Sequence, residues 1–289
     1  MISLLLSIAS STAILTLFKV FGRFQVNTFQ AIVTNYIVAA SCGFIAYGSL
    51  AATDAPWQKS WFIPAVLLGV LFISIFNLMA LTAQRLGLSV VSVATKMSVA
   101  IPIVFGFLYY KELATVPKLL GIGLALLALY LSSKKGKENP KLELRDMALP
   151  LLVFLGSGII DTSIKFLEED RVGADEVSQF SATIFAAAAL SGVLLLLVKS
   201  FKSKVVIAPK NLLAGVALGI PNYFSIYFLV QALRIPYLDS ATVFTLNNIA
   251  IVIAATLTGI LLFKEQLSKQ NWLGIIMAVS SIAIIAYFN

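Results

Sequence analysis

Histidine is absent from this 289-residue chain, and cysteine occurs once, as Cys42. These two absences exclude a Cys/His metal centre, a disulfide framework within the chain, and a Cys–His or Ser–His nucleophile pair. Cys42 sits in an apolar run and reads as a small buried apolar residue. Charge is scarce as well: Asp, Glu, Lys and Arg make up 12% of the residues, about half the share of a soluble domain. No Walker-type glycine-rich phosphate loop occurs, and the basic residues are spread over short segments without a nucleic-acid-binding motif. We therefore expect no metal, no cofactor and no nucleic-acid partner. Without His or a catalytic carboxylate pair, little enzyme chemistry is available either.

What the chain has in abundance is apolar sequence. It is 60% hydrophobic, with a mean hydropathy of +0.96. These values are those of an integral membrane protein. A spanning helix needs about 20 mostly apolar residues, and ten such stretches are present. They lie near 2–22, 29–50, 61–84, 88–110, 116–133, 147–167, 174–199, 209–232, 239–263 and 270–288. The first lacks a basic leader and a small-residue cleavage site, so it reads as a spanning helix and not as a signal peptide. The intervening segments are too short to fold alone. Function is therefore expected among the helices, with a small-molecule substrate and the lipid bilayer as partners. A monomer or a homodimer is the expected assembly.

The longest polar segment, 134–146, divides a repeat. "YYKELATVPKLLGIGLALLALYLSS" (109–133) aligns with "LFKEQLSKQNWLGIIMAVSSIAIIAY" (262–287) at an offset of 153 residues. Lys111–Glu112 then meets Lys264–Glu265, and Leu120–Gly121 meets Leu273–Gly274. Each half, 1–133 and 147–289, holds five helices. Five is odd, so the second half enters the membrane in the opposite sense. The expected fold is all-α, with ten transmembrane helices in two inverted five-helix repeats. In secondary transporters that architecture places the substrate site near the midplane.

At these residues the chain resembles the EamA-type members of the drug/metabolite transporter superfamily. The turns "YKELAT" and "FKEQLS" precede "LLGIGLALLAL" and "WLGIIMAVSSI", and "AQRLG" and "ALRIPY" precede the fourth helix of each half. The lysine late in the first helix is Lys19, in "TLFKVF". Where that family has Trp-Gly in the first helix, this chain has "SSTAI". The resemblance implies gradient-driven export or exchange of small metabolites through a central cavity, without ATP, in a cell (inner or plasma) membrane. It also implies cytoplasmic termini. The charge count points the other way. Fourteen Lys and Arg follow odd-numbered helices and five follow even-numbered ones, which by the positive-inside rule puts the termini outside.

Ionisable residues deep in a membrane are functional candidates. The spans hold Lys19, Lys96, Asp161 and Lys165. Lys19 and Lys165 lie late in their helices, where a lysine can snorkel to the interface. Asp161 is one turn before Lys165, so the two can pair or act in gating or ion coupling. Lys96 lies about 12 Å into the fourth span, where a lysine costs about 2.5–3.5 kcal/mol on insertion scales. It shares a helix face with Ser89 and Ser92 and is matched in the other half by Ile249. Thr242, Thr245 and Asn248 form the corresponding polar stripe, with Asn247 beside it. Asn77 and Tyr223 complete the expected binding set, with Asn35 and Tyr36 as further candidates. One carboxylate against two or three lysines favours a substrate bearing a carboxylate or phosphate, and amino acids fit first. Two other cargoes fit the same composition: a lipid-linked headgroup, moved by a flippase, and drugs, moved by a multidrug exporter.

Overall fold

The computed structural model describes residues 1–47, 55–111, 114–133, 144–173, 176–202, 206–233 and 240–287. Among these the regular elements are helical. They are α1 (Ile2–Arg23), α2 (Thr28–Tyr47), a 3₁₀ turn at Pro56–Gln58, α3 (Phe62–Leu86), α4 (Leu88–Met97), α5 (Ala100–Tyr109), α6 (Val116–Ser133), α7 (Leu144–Asp170), α8 (Val177–Lys202), α9 (Pro209–Leu233), α10 (Ser240–Phe263) and α11 (Lys269–Tyr287). Nine described segments are long and apolar enough to cross a bilayer, α4 and α5 together forming one, Leu88–Tyr109. The 20-residue α2 is the tenth segment read from the sequence. Glu112, Arg234 and most of the 134–146 linker lie outside the described residues, and α7 already begins at Leu144.

Lipid offers no hydrogen bonds, so backbone and side-chain polar groups must be satisfied within the helices. Many hydroxyls do this locally. Those of Thr16, Thr34, Ser74, Thr82, Thr183 and Ser191 each donate to the carbonyl four residues earlier. Leu5, Leu67, Leu126, Leu194 and Leu261 leave large apolar side chains exposed, as a lipid-facing surface requires.

The sequence predicts one helix over 88–110. The structure instead tightens it at Ser98–Val99, where both residues keep helical backbone angles but the hydrogen-bond pattern changes, and proline chemistry explains the change. Pro102 has no N–H to give to the Ser98 carbonyl. The Ile101 amide takes that carbonyl instead, at 2.9 Å, tightening the chain into a 3₁₀-like turn. The hydroxyls of Thr95 and Ser98 fold back onto the carbonyls of Val91 and Thr95. Lys96 therefore sits one residue from the end of a ten-residue half-helix.

The chain packs as two compact units, and each draws on both halves of the sequence. The first unit comprises 1–20, 78–159 and 224–289. Here α6 and α11 pack antiparallel along small residues, which let two backbones approach. A Cβ on Gly121 would lie 2.5 Å from Ile285 Cγ1, and one on Gly274 would lie 2.5 Å from the Ser132 amide nitrogen. The 153-residue offset turns the first contact into the second. The Ser281 hydroxyl donates to the Gly121 carbonyl at 2.7 Å. Its offset mate, Ala128, places a carbonyl 3.0 Å from the position of that second Cβ. Lys111 and Lys264, also mates, share an unusual left-handed backbone with φ of 55° and 54°. Asn271 reciprocally caps the start of α11 with Ser268 and also donates to the Ser132 carbonyl at 2.8 Å. Eight of the ten residues of α4 are buried, so this half-helix is core to the unit.

The second unit comprises 21–77 and 160–223. In it α2 packs on α8, and its Ala31–Val38 face lies against Gly215 and Gly219 of α9. The start of α2 is tied to α9 through Asn211, whose amide oxygen accepts from the Asn27 amide and whose Nδ2 donates to Gln30. Trp61 is fully buried, edge-on to Phe180 at 5.7 Å. Gly123, on the same helix as Gly121, has nothing within 4 Å of where its Cβ would be. Cys42 is half-buried.

Candidate functional site

The predicted site residues fall in both units. Ser92, Lys96, Asn247 and Asn248 belong to the first, and Asn77, Asp161, Lys165 and Tyr223 to the second. In the first unit α4 runs alongside α10. Its start, Leu88, meets Glu265 just beyond the end of α10, so the two helices are antiparallel. At 1.5 Å per residue, Lys96 lies about 12 Å along α4 from that junction, and Asn247 lies about 24 Å along α10. The residue of α10 at the depth of Lys96 is Thr256, about 10 Å from the helix end.

Burial separates these groups further. Ser92 is buried and donates its hydroxyl to the Ser89 carbonyl at 2.9 Å. Lys96 and Asn248 are half-buried. Asn247 and Thr256 are buried on opposite faces of α10, and neither the Asn247 Oδ1 nor the Thr256 hydroxyl has a hydrogen-bond partner among the described residues. The Ser89 hydroxyl is buried and unpartnered in the same way. An unsatisfied buried polar atom costs roughly 1–3 kcal/mol, and these three lie at different depths along the helix pair. Thr256 was not a sequence candidate. Its signal is the small polar run "TLTG" on a buried stripe, and that stripe is visible only once α4 is placed.

Glu265 was likewise missed. Its carboxylate accepts from the Leu88 amide, at 2.8 Å to Oε1 and 3.1 Å to Oε2, and so caps α4. The same Oε1 lies 3.3 Å from Lys19 Nζ. Lys19, expected to snorkel, is thus ion-paired. The carboxylate is positioned by its own turn: the Glu265 amide donates to the Gly259 carbonyl after Lys264 takes the left-handed conformation.

In the second unit Asn77 is half-buried and donates to the Ile73 carbonyl of its own helix at 2.7 Å. Tyr223 and Lys165 are half-buried, and Asp161 is exposed. Asn35 and Tyr36 are fully buried with their side-chain polar atoms unpartnered among the described residues. The Tyr36 ring packs against Phe76 at 5.3 Å and Phe185 at 6.2 Å. Outside the spans, Glu176 accepts from Trp61 Nε1 at 2.7 Å and pairs with Lys59 at 2.8 Å. The hydrogen bonds from Lys59 and then Trp61 hold its carboxyl below the usual carboxylate range. Among the described residues no group of three His, Cys, Asp or Glu could hold a metal ion.

Comparison with known proteins gives three findings. Residues 145–287 match the EamA-like transporter family. An uncharacterized protein of Haemophilus influenzae is 29% identical over 292 residues, covering 99% of this chain and 98% of that one. A crystallised protein of 16% identity has a TM-score of 0.57 over 99% of each chain, a likeness of fold alone.

Proposed function

We propose that this chain, a member of the EamA-like transporter family through residues 145–287, is a secondary active exporter or exchanger of small carboxylate-bearing metabolites, with amino acids as the first candidates. The observation that carries the reading is Lys96, a cation at mid-span depth on an otherwise buried half-helix that ends one residue later. Broken spans place half-helix ends and side chains at substrate sites of secondary transporters. An ammonium there selects for anionic groups. The mate relations of Gly121–Ile285 and Gly274–Ser132 support inverted five-helix repeats and alternating access between them. In this reading Ser92, Asn247 and Asn248 are the substrate-binding candidates of the first unit and Asn77 and Tyr223 those of the second, in a cell membrane, and Asp161 and Lys165 serve gating or ion coupling.

A thermal-shift screen tests the substrate class, because a ligand that binds only the folded state raises its stability. Amino acids and other small carboxylates should raise the melting temperature of the purified protein in a saturable way, and Lys96→Met should abolish the shift. Stabilisation by organic cations but not by carboxylates would overturn the reading.

A further inference from the structure

The second unit has two chemically different ends. In it α2 and α8 run antiparallel: a Cβ on Gly192 would lie 2.5 Å from Val33 Cγ2, and the Tyr36 ring packs on Phe185. From the first contact, Lys199 lies about 10 Å further along α8 and Thr28 about 8 Å back along α2. The end of α8 and the start of α2 therefore share one level. The start of α9 is tied to that level by the hydrogen bonds of Asn211 with Asn27 and Gln30. Gln30 Nε2 also donates to the Val206 carbonyl at 3.0 Å. The segments that meet here, 21–30 and 197–212, carry Arg23, Lys199, Lys202, Lys204 and Lys210 and no Asp or Glu. The segments at the opposite end, 54–61 and 168–176, carry Asp54, Glu168, Glu169, Asp170, Asp175 and Glu176 against two cations, Lys59 and Arg171. Of those two, Lys59 is already paired with Glu176.

Charge is only half of the character of the basic end. Phe24 is 66% exposed, Phe201 88% and Val206 76%. These side chains stand among the exposed cations Arg23, Lys199 and Lys210. Water suits the cations and not the rings, and hydrocarbon suits the rings and not the cations. A spanning helix ends at the headgroup layer, which suits both. There apolar side chains enter the acyl boundary while lysine and arginine reach the phosphates. The hydrogen bonds of Asn211 and Gln30 fix the backbone on which this mixed surface is displayed.

We propose that the basic end of the second unit, built on Arg23, Lys199 and Lys210 with Phe24, Phe201 and Val206 among them, is a docking surface for the phosphate headgroups of anionic lipids. Several dispersed cations match a layer of headgroups, and the exposed apolar side chains commit the surface to a lipid over a soluble phosphate ester. The carboxylate-rich end of the same unit repels the same lipid. The assignment stands apart from the substrate reading and needs no transport to test.

Dioleoyl phosphatidylglycerol, titrated into the purified full-length protein in a neutral detergent, should raise its melting temperature saturably. Dioleoyl phosphatidylcholine, with the same acyl chains, should not. Arg23→Gln/Lys199→Gln/Lys210→Gln should need about tenfold more phosphatidylglycerol for half the shift, and added salt should weaken the wild-type response. Phe201→Ser keeps every charge and should weaken the response too. Arg171→Gln, which removes an exposed cation at the opposite end, should leave the titration unchanged. Glycerol 3-phosphate, the headgroup chemistry without acyl chains, should fail to reproduce the shift at matched ionic strength. Should the triple variant fail to fold, its three single variants enter the same titration, and each should need more phosphatidylglycerol than wild type. Equal shifts with the two lipids, an unchanged titration in the folded charge variants, or full stabilisation by glycerol 3-phosphate would each overturn the proposal.

Discussion

Glu176 and Glu265 show how little a sequence says about a carboxylate's task. Both sit in short turns; Glu265 stands out only as the repeat mate of Glu112, and Glu176 does not stand out at all. Glu176 is held by Lys59 and by the indole N–H of a buried tryptophan. Its folded carboxyl titrates below the usual value, with Lys59 the first cause. A lowered folded pKa adds stability above the unfolded value, about 4.3, and that stability is lost as pH falls through the folded value. Glu176→Gln should therefore melt at a lower temperature than wild type at pH 7. The gap should narrow on acidification below the ordinary carboxylate range, as followed by melting temperature against pH. Lys19 was legible as an end-of-helix lysine but not as an ion pair, because its partner lies in a turn 246 positions away. Lys96 was legible because depth alone makes a lysine conspicuous. Thr256 was not, because a threonine in a span is ordinary until its hydroxyl is seen to be unsatisfied.

At the scale of the element, apolar runs located the helices, since a spanning segment needs little beyond length and hydropathy. The tightening in the fourth span was missed, although its cause, Pro102, is in the sequence. A proline four residues after a serine is compatible with either a gentle bend or an interruption. What decides is whether neighbouring groups can take over the freed carbonyl, and here the Ile101 amide does. The tightening leaves α4 a short rigid segment between Gly87 and Ser98, suited to move as a piece. Pro102→Ala restores the missing donor to the Ser98 carbonyl and should fuse α4 and α5. The variant should melt at a higher temperature than wild type and transport more slowly with substrate affinity unchanged, a pattern that separates a lost hinge from a lost contact. Faster or unchanged turnover would show that this turn is not a working joint.

At the scale of the whole molecule, the sequence match across 153 residues has a local backbone cause. Lys111 and Lys264 each end a span in the left-handed conformation, and Gly121 and Gly274 each admit a partner helix. Identical local demands kept similar words, "YKE" and "FKE", 153 residues apart. The packing units were not readable, since each gathers pieces of both halves and sequence order does not say which helices meet. The site suffers most from this. Lys96 and Asn247 were read as belonging to corresponding polar regions of the two halves, but antiparallel packing of α4 and α10 sets them at different depths. The central claim is a transporter whose cation, Lys96, recognises an anionic substrate group. Uptake of radiolabelled amino acids into proteoliposomes tests it most directly, comparing wild type with Lys96→Met after both show the same melting transition and helix content. Saturable uptake by wild type, with a loss of at least tenfold in the variant, is the predicted result. Equal uptake by the two proteins would contradict the account.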